Sequence, residues 1–331
     1  MIATAFLTLL MLVLVACQEG AADPSDPPRP AGTAAPAIIE RHVTSAPGVT
    51  LRVRDIGEGR PVLLLTGGPG FAAELMLPWA RSIWTTRTWR AILPDQRGTG
   101  ESTVDIVKTA FDLKSVVADL EAVREALHIE QWTIIGHSWG GVLGMAYSAA
   151  HPTRVTALGL VCPGGLEPSF VQRFGDNVLA RLDPKDRAVL EGLRPAGTTL
   201  ADFADMLRET NRLMAPGMLH NQDALPAMLA LIDSPALSPE VSLAMRPMFS
   251  RLDLRASVQA YTGPVLVLQG EFDPLGREAA DQIVAAFENA TLEILPGVAH
   301  WPDLEDPATL FARLEHFLGE TDLLALGLTP R

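Results

Sequence analysis

The sequence contains little cysteine and little basic charge. Its 331 residues include two cysteines, Cys17 and Cys162, and no Cys/His spacing typical of a zinc site. The two lie in such different sequence surroundings that we expect no disulfide between them. The 26 lysines and arginines are outnumbered by 39 acidic residues, which gives a formal net charge of −13. Since a nucleic-acid-binding protein needs a basic patch, we expect no nucleic-acid partner.

Cofactor-binding motifs are absent as well. No phosphate-binding loop and no nicotinamide fingerprint accompanies any predicted strand, so we expect neither a cofactor nor a metal. The hydrophobic content of 48% is enough to bury a sizeable core. The length suits one large domain or a domain with an insertion.

The N-terminus has the features of an export signal. Residues 1–16 are apolar apart from two threonines, a run too short for a membrane span and about right for a signal-peptide core. It ends Leu-Val-Ala-Cys at Cys17, which resembles the lipobox of bacterial lipoproteins, where the signal is cleaved before an acylated cysteine. Because no Lys or Arg precedes the run, an uncleaved signal anchor or a secreted protein is the alternative.

Residues 17–36 are rich in Ala, Pro, Gly and Asp, a composition that cannot bury enough apolar surface to fold. We expect them to form a flexible tether. Together with the signal, this segment predicts a protein of the bacterial cell envelope that is held to the membrane by a lipid on Cys17.

The rest of the chain alternates predicted strands and helices. Strands are expected at 50–54, 61–65, 89–93, 131–135, 157–161, 264–268 and 291–295, the first of them at an edge of the sheet. Helices are expected at 113–127, with Asp112 as the N-cap, and at 142–150, 277–287 and 307–318. Several strands are apolar on both faces, which is typical of a parallel sheet covered on both sides. This predicts the α/β class with a doubly wound, mostly parallel sheet.

Between 164 and 262 the pattern changes, and no convincing strand occurs. Helical stretches are expected at 170–182, 184–193, 200–214, 224–232 and 239–249. We interpret residues 164–262 as a helical cap inserted between the two parts of the core, which are 37–163 and 263–331.

The segment Gly136-His137-Ser138-Trp139-Gly140 fits the G-x-S-x-G nucleophile elbow. An apolar strand precedes it and a helical run follows it, as the elbow requires. The glycines allow a sharp turn without a clashing Cβ, and the turn presents the serine hydroxyl at the top of the sheet. The pattern predicts Ser138 as a nucleophile.

Two partners for this serine follow later strands. In a parallel sheet, the loops after the strands meet at one edge. His300 follows the last strand and can take the proton from Ser138, while Asp273 or its neighbour Glu271 follows the strand before it and can orient the histidine. The order Ser, Asp, His is the order that this architecture uses.

The loop Gly67-Gly68-Pro69-Gly70 also follows a strand. A carbonyl under attack needs two N–H donors, and glycines let the backbone approach it. We predict that the oxyanion hole consists of the backbone N–H groups of Gly68 and Trp139.

Asp95 and Arg97, in the loop after another strand, are predicted to form a structural ion pair that holds a turn beside the oxyanion loop. Cys162 is predicted to be a core residue.

The motifs Gly-Gly-Pro-Gly from Gly67, Asp-Gln-Arg-Gly from Asp95, the elbow at Ser138, and the loops that contain Asp273 and His300 together resemble the α/β-hydrolase superfamily. Within it, the chain is similar to the proline iminopeptidase branch, serine peptidase family S33. The resemblance implies the α/β-hydrolase fold with a helical cap, and it favours Asp273 over Glu271 as the acid. The sequence departs from that branch at Thr66, where a histidine is usual, and at His137, where a glycine is usual.

The resemblance implies a serine hydrolase that works through an acyl-enzyme. An aminopeptidase of proline iminopeptidase type is the first hypothesis, and an esterase or other small-molecule acyl hydrolase is the alternative. A non-catalytic binding protein on the same fold is the third. The substrate would be a small peptide or a small acyl compound. A peptidase would bind the free amine with a carboxylate, for which Glu209 and Glu167 of the cap are the candidates, although the tryptophan-plus-glutamate pattern of the branch is missing.

Overall fold

The structure is a computed structural model that describes residues 36–84 and 88–325, with the backbone alone for 84 and 322–325. The predicted signal, the lipidation site at Cys17 and the tether up to residue 35 lie outside these residues. No helix among the described ranges is both long and apolar enough to cross a membrane.

An eight-stranded sheet forms the centre of the fold. Its strands are β1 Ile38–Ala46, β2 Val49–Ile56, β3 Arg60–Leu65, β4 Trp89–Pro94, β5 Trp132–His137, β6 Val155–Val161, β7 Val265–Gly270 and β8 Ala290–Leu295. Their order across the sheet is β1-β2-β4-β3-β5-β6-β7-β8. From β4 to β8 the pairing is parallel, whereas β1 and β2 are antiparallel to their neighbours. The predicted α/β class with a mostly parallel sheet is confirmed.

Eleven α-helices occur in the described part of the chain. They are α1 Leu77–Trp84, α2 Leu113–Ala126, α3 Trp139–Ala150, α4 Ser169–Arg181, α5 Pro184–Gly192, α6 Leu200–Met214, α7 Leu225–Asp233, α8 Pro239–Phe249, α9 Arg277–Ala286, α10 Pro302–Glu305 and α11 Pro307–Ala325. Asp112 caps α2 as predicted, because its carboxylate accepts a hydrogen bond from the Ser115 N–H at 2.8 Å.

Helices cover both faces of the sheet, which explains the continuous apolar runs of the central strands. Along β3, Leu63 and Leu65 pack into the layer that contains α2 and α3, while Val62 and Leu64 pack into the opposite layer with α1 and α11. Successive side chains of a strand point to opposite faces, so both sets must be apolar when both faces are covered.

Two predictions about the sheet edge were wrong or incomplete. The first predicted strand is not an edge strand, since β2 lies between β1 and β4. The true edge, β1, was not predicted: most of its residues are exposed, so its sequence carries little of the apolar signal that marks a buried strand. Helix α1 was also missed.

Five helices, α4 to α8, occupy residues 169–249 between β6 and β7. Their apolar side chains and those of the short turns between them form a third cluster, which includes Val178, Met218 and Met228. Phe71 and Trp301 join this cluster from loops at the sheet edge. The helices therefore pack directly on the loops that follow the strands.

Candidate active site

The sharp turn at Ser138 is the central feature at the carboxyl ends of the parallel strands. Strand β5 ends one residue before it and α3 begins one residue after it, and Ser138 has a φ of 52° and a ψ of −115°. A Cβ on Gly136 would lie 2.3 Å from the carbonyl oxygen of Gly140, and one on Gly140 would lie 2.2 Å from that of Leu65. The glycines of the elbow are therefore required by backbone contacts, as the sequence motif predicts.

Ser138, His300 and Asp273 form a chain of hydrogen bonds. The Oγ of Ser138 lies 3.0 Å from Nε2 of His300, and Nδ1 of His300 lies 3.0 and 3.1 Å from the two carboxylate oxygens of Asp273. His300 and Asp273 are both buried. With Nδ1–H donating to the carboxylate, Nε2 is left to accept the serine proton.

The charge on Asp273 is stabilised by its surroundings. Burial by itself raises the pKa of this carboxyl, but the neighbouring His300 and a hydrogen bond from the Leu275 N–H at 2.9 Å lower it, and the net direction is downward. Glu271, the rival acid, accepts a hydrogen bond from the Gly297 N–H at 2.9 Å instead. The structure thus places Asp273, not Glu271, against the histidine.

The glycine loop after β3 lies against the serine. A Cβ on Gly67 would lie 3.2 Å from the Cβ of Ser138, and Gly68 has a φ of +115°. Gly68, Ser138 and Trp139 line one cavity. Trp139 is the first residue of α3, so its backbone N–H has no partner within the helix. The two residues predicted to supply the oxyanion donors therefore lie beside Ser138 at the same cavity.

Gln96 holds this arrangement together, and its role was not predicted. Its amide nitrogen donates to Oγ1 of Thr66 at 3.1 Å, and its amide oxygen accepts from the indole of Trp139 at 2.8 Å. Thr66 itself donates to the carbonyl of Phe71 at 3.0 Å. Gln96 therefore links the loop of Gly68 to Trp139, the residue after Ser138. The sequence feature that could have indicated this role is the position of Gln96 in the loop that follows β4, at the same end of the sheet as Ser138.

The predicted ion pair between Asp95 and Arg97 was wrong. Arg97 pairs with Asp119 of α2 at 2.6 Å. Asp95 pairs with Arg52 at 2.8 Å and accepts a hydrogen bond from the backbone N–H of Ala73 at 2.8 Å. Nearness in sequence suggested the pair, but the turn sends the two side chains to different partners.

His137 supports the loop that contains His300. Its ring is fully enclosed, and Nε2 lies 2.8 Å from the carbonyl oxygen of His300. Burial and the charge of nearby His300 lower the pKa of His137 to about 3, so it is neutral at ordinary pH and donates to that carbonyl. This contact gives the histidine at position 137 a structural role that a glycine, which is usual there in the branch, could not have.

A cavity of about 250 Å³ lies next to Ser138, and part of its wall comes from the segment 169–249, which we call the cap below. Its apolar lining includes Phe71, Phe170, Phe174, Met218, Met228, Ile232, Leu237, Phe249, Leu275 and Trp301. Such a wall fits a compact apolar group.

Neither predicted amine anchor lies in this cavity. Glu167 pairs with Arg255 at 3.0 Å, and Glu209 lies 3.8 Å from Arg212. Among the described residues, the cavity lining contains no Asp, Glu, Lys or Arg. The polar cap side chains that do line it are Asn211 and Ser242, and Ser242 already donates to the carbonyl of Pro69 at 2.5 Å.

Cys162, Asp273 and His300 offer three ligand atoms within 4.8 Å of one another, the spacing of a metal site. Burial raises the pKa of the Cys162 thiol, which keeps it protonated and a poor ligand. Its sulfur lies 3.5 Å from the carbonyl oxygen of Ala299. We interpret Cys162 as packing behind the acid and the histidine; its burial agrees with the prediction of a core residue.

The motifs, the fold and this geometry agree with the family comparison. The chain belongs to the alpha/beta hydrolase fold family, which matches residues 60–307. It is similar to a probable proline iminopeptidase of Leptolyngbya boryana, with 41% identity over 106 residues that make up 32% of each chain. It is also similar to a proline iminopeptidase of Arabidopsis thaliana, with 40% identity over 101 residues, 30% of this chain and 26% of the other. The match spans about a third of these relatives or less.

Solved structures of the same fold include both esterases and peptidases. An esterase from Exiguobacterium antarcticum superposes with a TM-score of 0.65 at 20% identity, over 85% of this chain and all of that one. Proline iminopeptidase of Mycobacterium smegmatis gives 0.62 at 22% identity, over 87% of this chain and all of that one. At these identities the likeness defines the fold alone.

Asp303 is an acid close to this site; the residue is partly exposed, but its carboxylate oxygen Oδ1 is buried. The indole N–H of Trp79 donates to its Oδ2 at 3.3 Å, while Oδ1 has no hydrogen-bond partner among the described residues. Burial raises the pKa of Asp303 to about 6, so between roughly pH 4 and pH 6 the folded protein holds a proton that the unfolded chain releases.

The stability that this proton contributes is fully present below the pKa of Asp303 in the unfolded chain. It is lost as the pH rises through the pKa of Asp303 in the folded protein, about 6. We therefore expect Asp303→Asn to gain stability relative to the wild type over this range, by on the order of 2 kcal/mol. Urea unfolding at pH 4, 5, 6 and 7 measures the difference. A difference that stays constant with pH would contradict a buried, proton-binding Asp303.

Proposed function

We propose that the protein is a serine hydrolase that works through an acyl-enzyme. The hydrogen-bonded chain of Ser138, His300 and Asp273 at the base of the cavity carries this proposal. His300 takes the proton from the Ser138 hydroxyl as the oxygen attacks the substrate carbonyl. The backbone N–H groups of Gly68 and Trp139 hold the oxyanion that forms.

His300 then gives its proton to the leaving group, which departs and leaves the acyl group on Ser138. A water molecule enters, loses a proton to the same histidine and attacks the acyl carbonyl. Asp273 keeps the histidine in the required orientation and stabilises its cation in both halves.

The first substrate class is a peptide with N-terminal proline, cleaved by an aminopeptidase of the proline iminopeptidase type. The similarity to proline iminopeptidases, about 40% over roughly 100 residues, supports this class. The apolar cavity supports it too, since a pyrrolidine ring is compact and apolar. The amine would then be held by neutral groups, of which Asn211 is the cap residue whose side chain lines the cavity and makes no hydrogen bond to the described residues.

The second substrate class is an ester or another small acyl compound without charge. The specific observation in its favour is the cavity lining, which contains no carboxylate among the described residues. An ammonium ion buried without an opposite charge loses its hydration with little in return, and this cost disfavours amine-bearing substrates.

We further propose that the mature protein begins at Cys17 and is held to the bacterial cell envelope by lipid. The Leu-Val-Ala-Cys sequence at the end of the apolar run supports this. Mass spectrometry of protein extracted from membranes is expected to find acyl chains on Cys17 and no peptide from residues 1–16. A mature chain that retains Met1, or that begins at another residue without lipid, would refute the assignment.

Ser138→Ala is expected to lower kcat by on the order of 10⁶-fold, because it removes the nucleophile and leaves only binding and the oxyanion donors. Steady-state hydrolysis of 4-nitrophenyl acetate and of proline 4-nitroanilide measures the loss. Circular dichroism of the variant serves as the control for folding. Turnover within tenfold of the wild type would reject Ser138 as the nucleophile.

Asn211→Asp tests whether the side chain at position 211 contacts the amine end of a bound substrate. A carboxylate in the apolar cavity would bind a free amine, so kcat/KM is expected to rise for proline 4-nitroanilide and to fall for 4-nitrophenyl butyrate. The matched control is Asp205→Asn, an exposed change on the same helix that is expected to alter neither value. If Asn211→Asp leaves both values unchanged, Asn211 does not contact the substrate.

A further inference from the structure

A carboxylate just after the catalytic loop joins that loop to the cap. Glu305 ends the short helix α10, five residues after His300. Its Oε1 accepts a hydrogen bond from the Ala299 N–H at 2.9 Å. Its Oε2 accepts two more, from the N–H groups of His220 at 2.7 Å and Asn221 at 2.9 Å.

A backbone contact reinforces the same junction. The N–H of His300 donates to the carbonyl of Met218 at 3.1 Å. Both Met218 and His300 line the cavity above the serine. The loop that contains the histidine is therefore bound to the cap segment Met218–Asn221 at His300 and at the residue before it.

The geometry makes the carboxylate difficult to replace. One oxygen serves the histidine loop and the other serves the cap, and hydrogen bonds to an ionised acceptor are stronger than neutral ones. A glutamine can keep one acceptor, but its NH₂ group cannot accept from the N–H groups on the other side. Glu305→Gln would therefore weaken the hydrogen bonds between the His300 loop and the cap and would leave the residues that line the cavity unchanged.

The cap is bound to the acid loop in a similar way. Asn177 of α4 donates to the carbonyl of Pro274 at 2.7 Å, and Arg181 of the same helix donates to that of Phe272 at 2.5 Å. The two loops that contain Asp273 and His300 thus both rest on the cap.

We propose that Glu305 is a positioning residue that fixes the His300 loop to the cap segment Met218–Asn221 and so keeps His300 within hydrogen-bonding distance of Ser138. The proposal rests on the proposed function in that it takes His300 as the base. It makes the cap part of the support of the catalytic residues, in addition to its place as a wall of the cavity.

The test compares Glu305→Gln with the wild type and with Glu315→Gln, an exposed charge-neutralising change on α11. Because misplacement of a catalytic group by about 1 Å can cost about 10²-fold in rate, we expect kcat to fall at least about tenfold in Glu305→Gln, with KM nearly unchanged. The rate of Ser138 labelling by a fluorophosphonate, counted per folded molecule, is expected to fall in parallel. Glu315→Gln is expected to match the wild type.

A second variant removes one cap donor without changing residue 305. Asn221 has a φ of −85°, near the range of proline, so Asn221→Pro keeps this backbone angle but puts the ring Cδ in place of the N–H from which Glu305 accepts, and this breaks the contact. Its side chain also caps the following turn through Asp223, and Asn221→Ala controls for that loss. We expect Asn221→Pro to lower kcat more than Asn221→Ala does.

The outcomes separate this proposal from the proposed function. If wild-type Ser138 does not react with the fluorophosphonate, the proposed function fails. If it does react, and Glu305→Gln lowers Tm but labels at the wild-type rate per folded molecule, Glu305 is structural only and the positioning proposal is overturned. Equal kcat in Asn221→Pro and Asn221→Ala would overturn the link to the cap.

Discussion

The backbone conformation of Ser138 is the constraint on which the rest of the site depends. A serine at φ 52° and ψ −115° is strained, and such a conformation persists only where the surrounding structure determines it. Gly136 and Gly140 allow the turn because a Cβ at either position would strike backbone atoms. The N–H of Ser138 also donates to the carbonyl of Val161 on β6 at 3.0 Å. The strained conformation is therefore held in place by the centre of a sheet that is packed on both faces.

The groups that would serve the serine are supplied by loops, and each loop is held by a neighbour outside it. Gln96 joins the glycine loop to Trp139, and His137 donates to the carbonyl of His300. Glu305 binds the histidine loop to the cap. Hydrogen bonds of this kind fix the positions of groups that would act on a reacting carbonyl. Such groups must be held closely, because a small displacement lowers the reaction rate. In this account, the cap helps to determine the geometry of the site and also encloses the substrate.

Local rules explain how much could be predicted from the sequence. The elbow at Ser138, the N-cap Asp112 and the buried strands depend on spacing along the chain, and the structure has them close to where the motifs place them. Edge strand β1 was missed because most of its residues are exposed, so its sequence carries little of the alternation that marks a buried strand. The partners of Asp95 and Arg97 were mistaken because they lie on distant elements. The candidate anchors Glu167 and Glu209 could not be placed, since the orientation of a cap helix depends on tertiary packing.

The central claim is that Ser138 is a nucleophile activated by His300, and covalent labelling tests it most directly. Purified protein is incubated with a fluorophosphonate, and the adduct is located by peptide mass spectrometry in the wild type and in a His300→Ala variant. We expect one adduct per chain, on Ser138, that forms rapidly in the wild type and is nearly lost in the variant. An adduct on another residue, or equal labelling of Ser138 without His300, would contradict it.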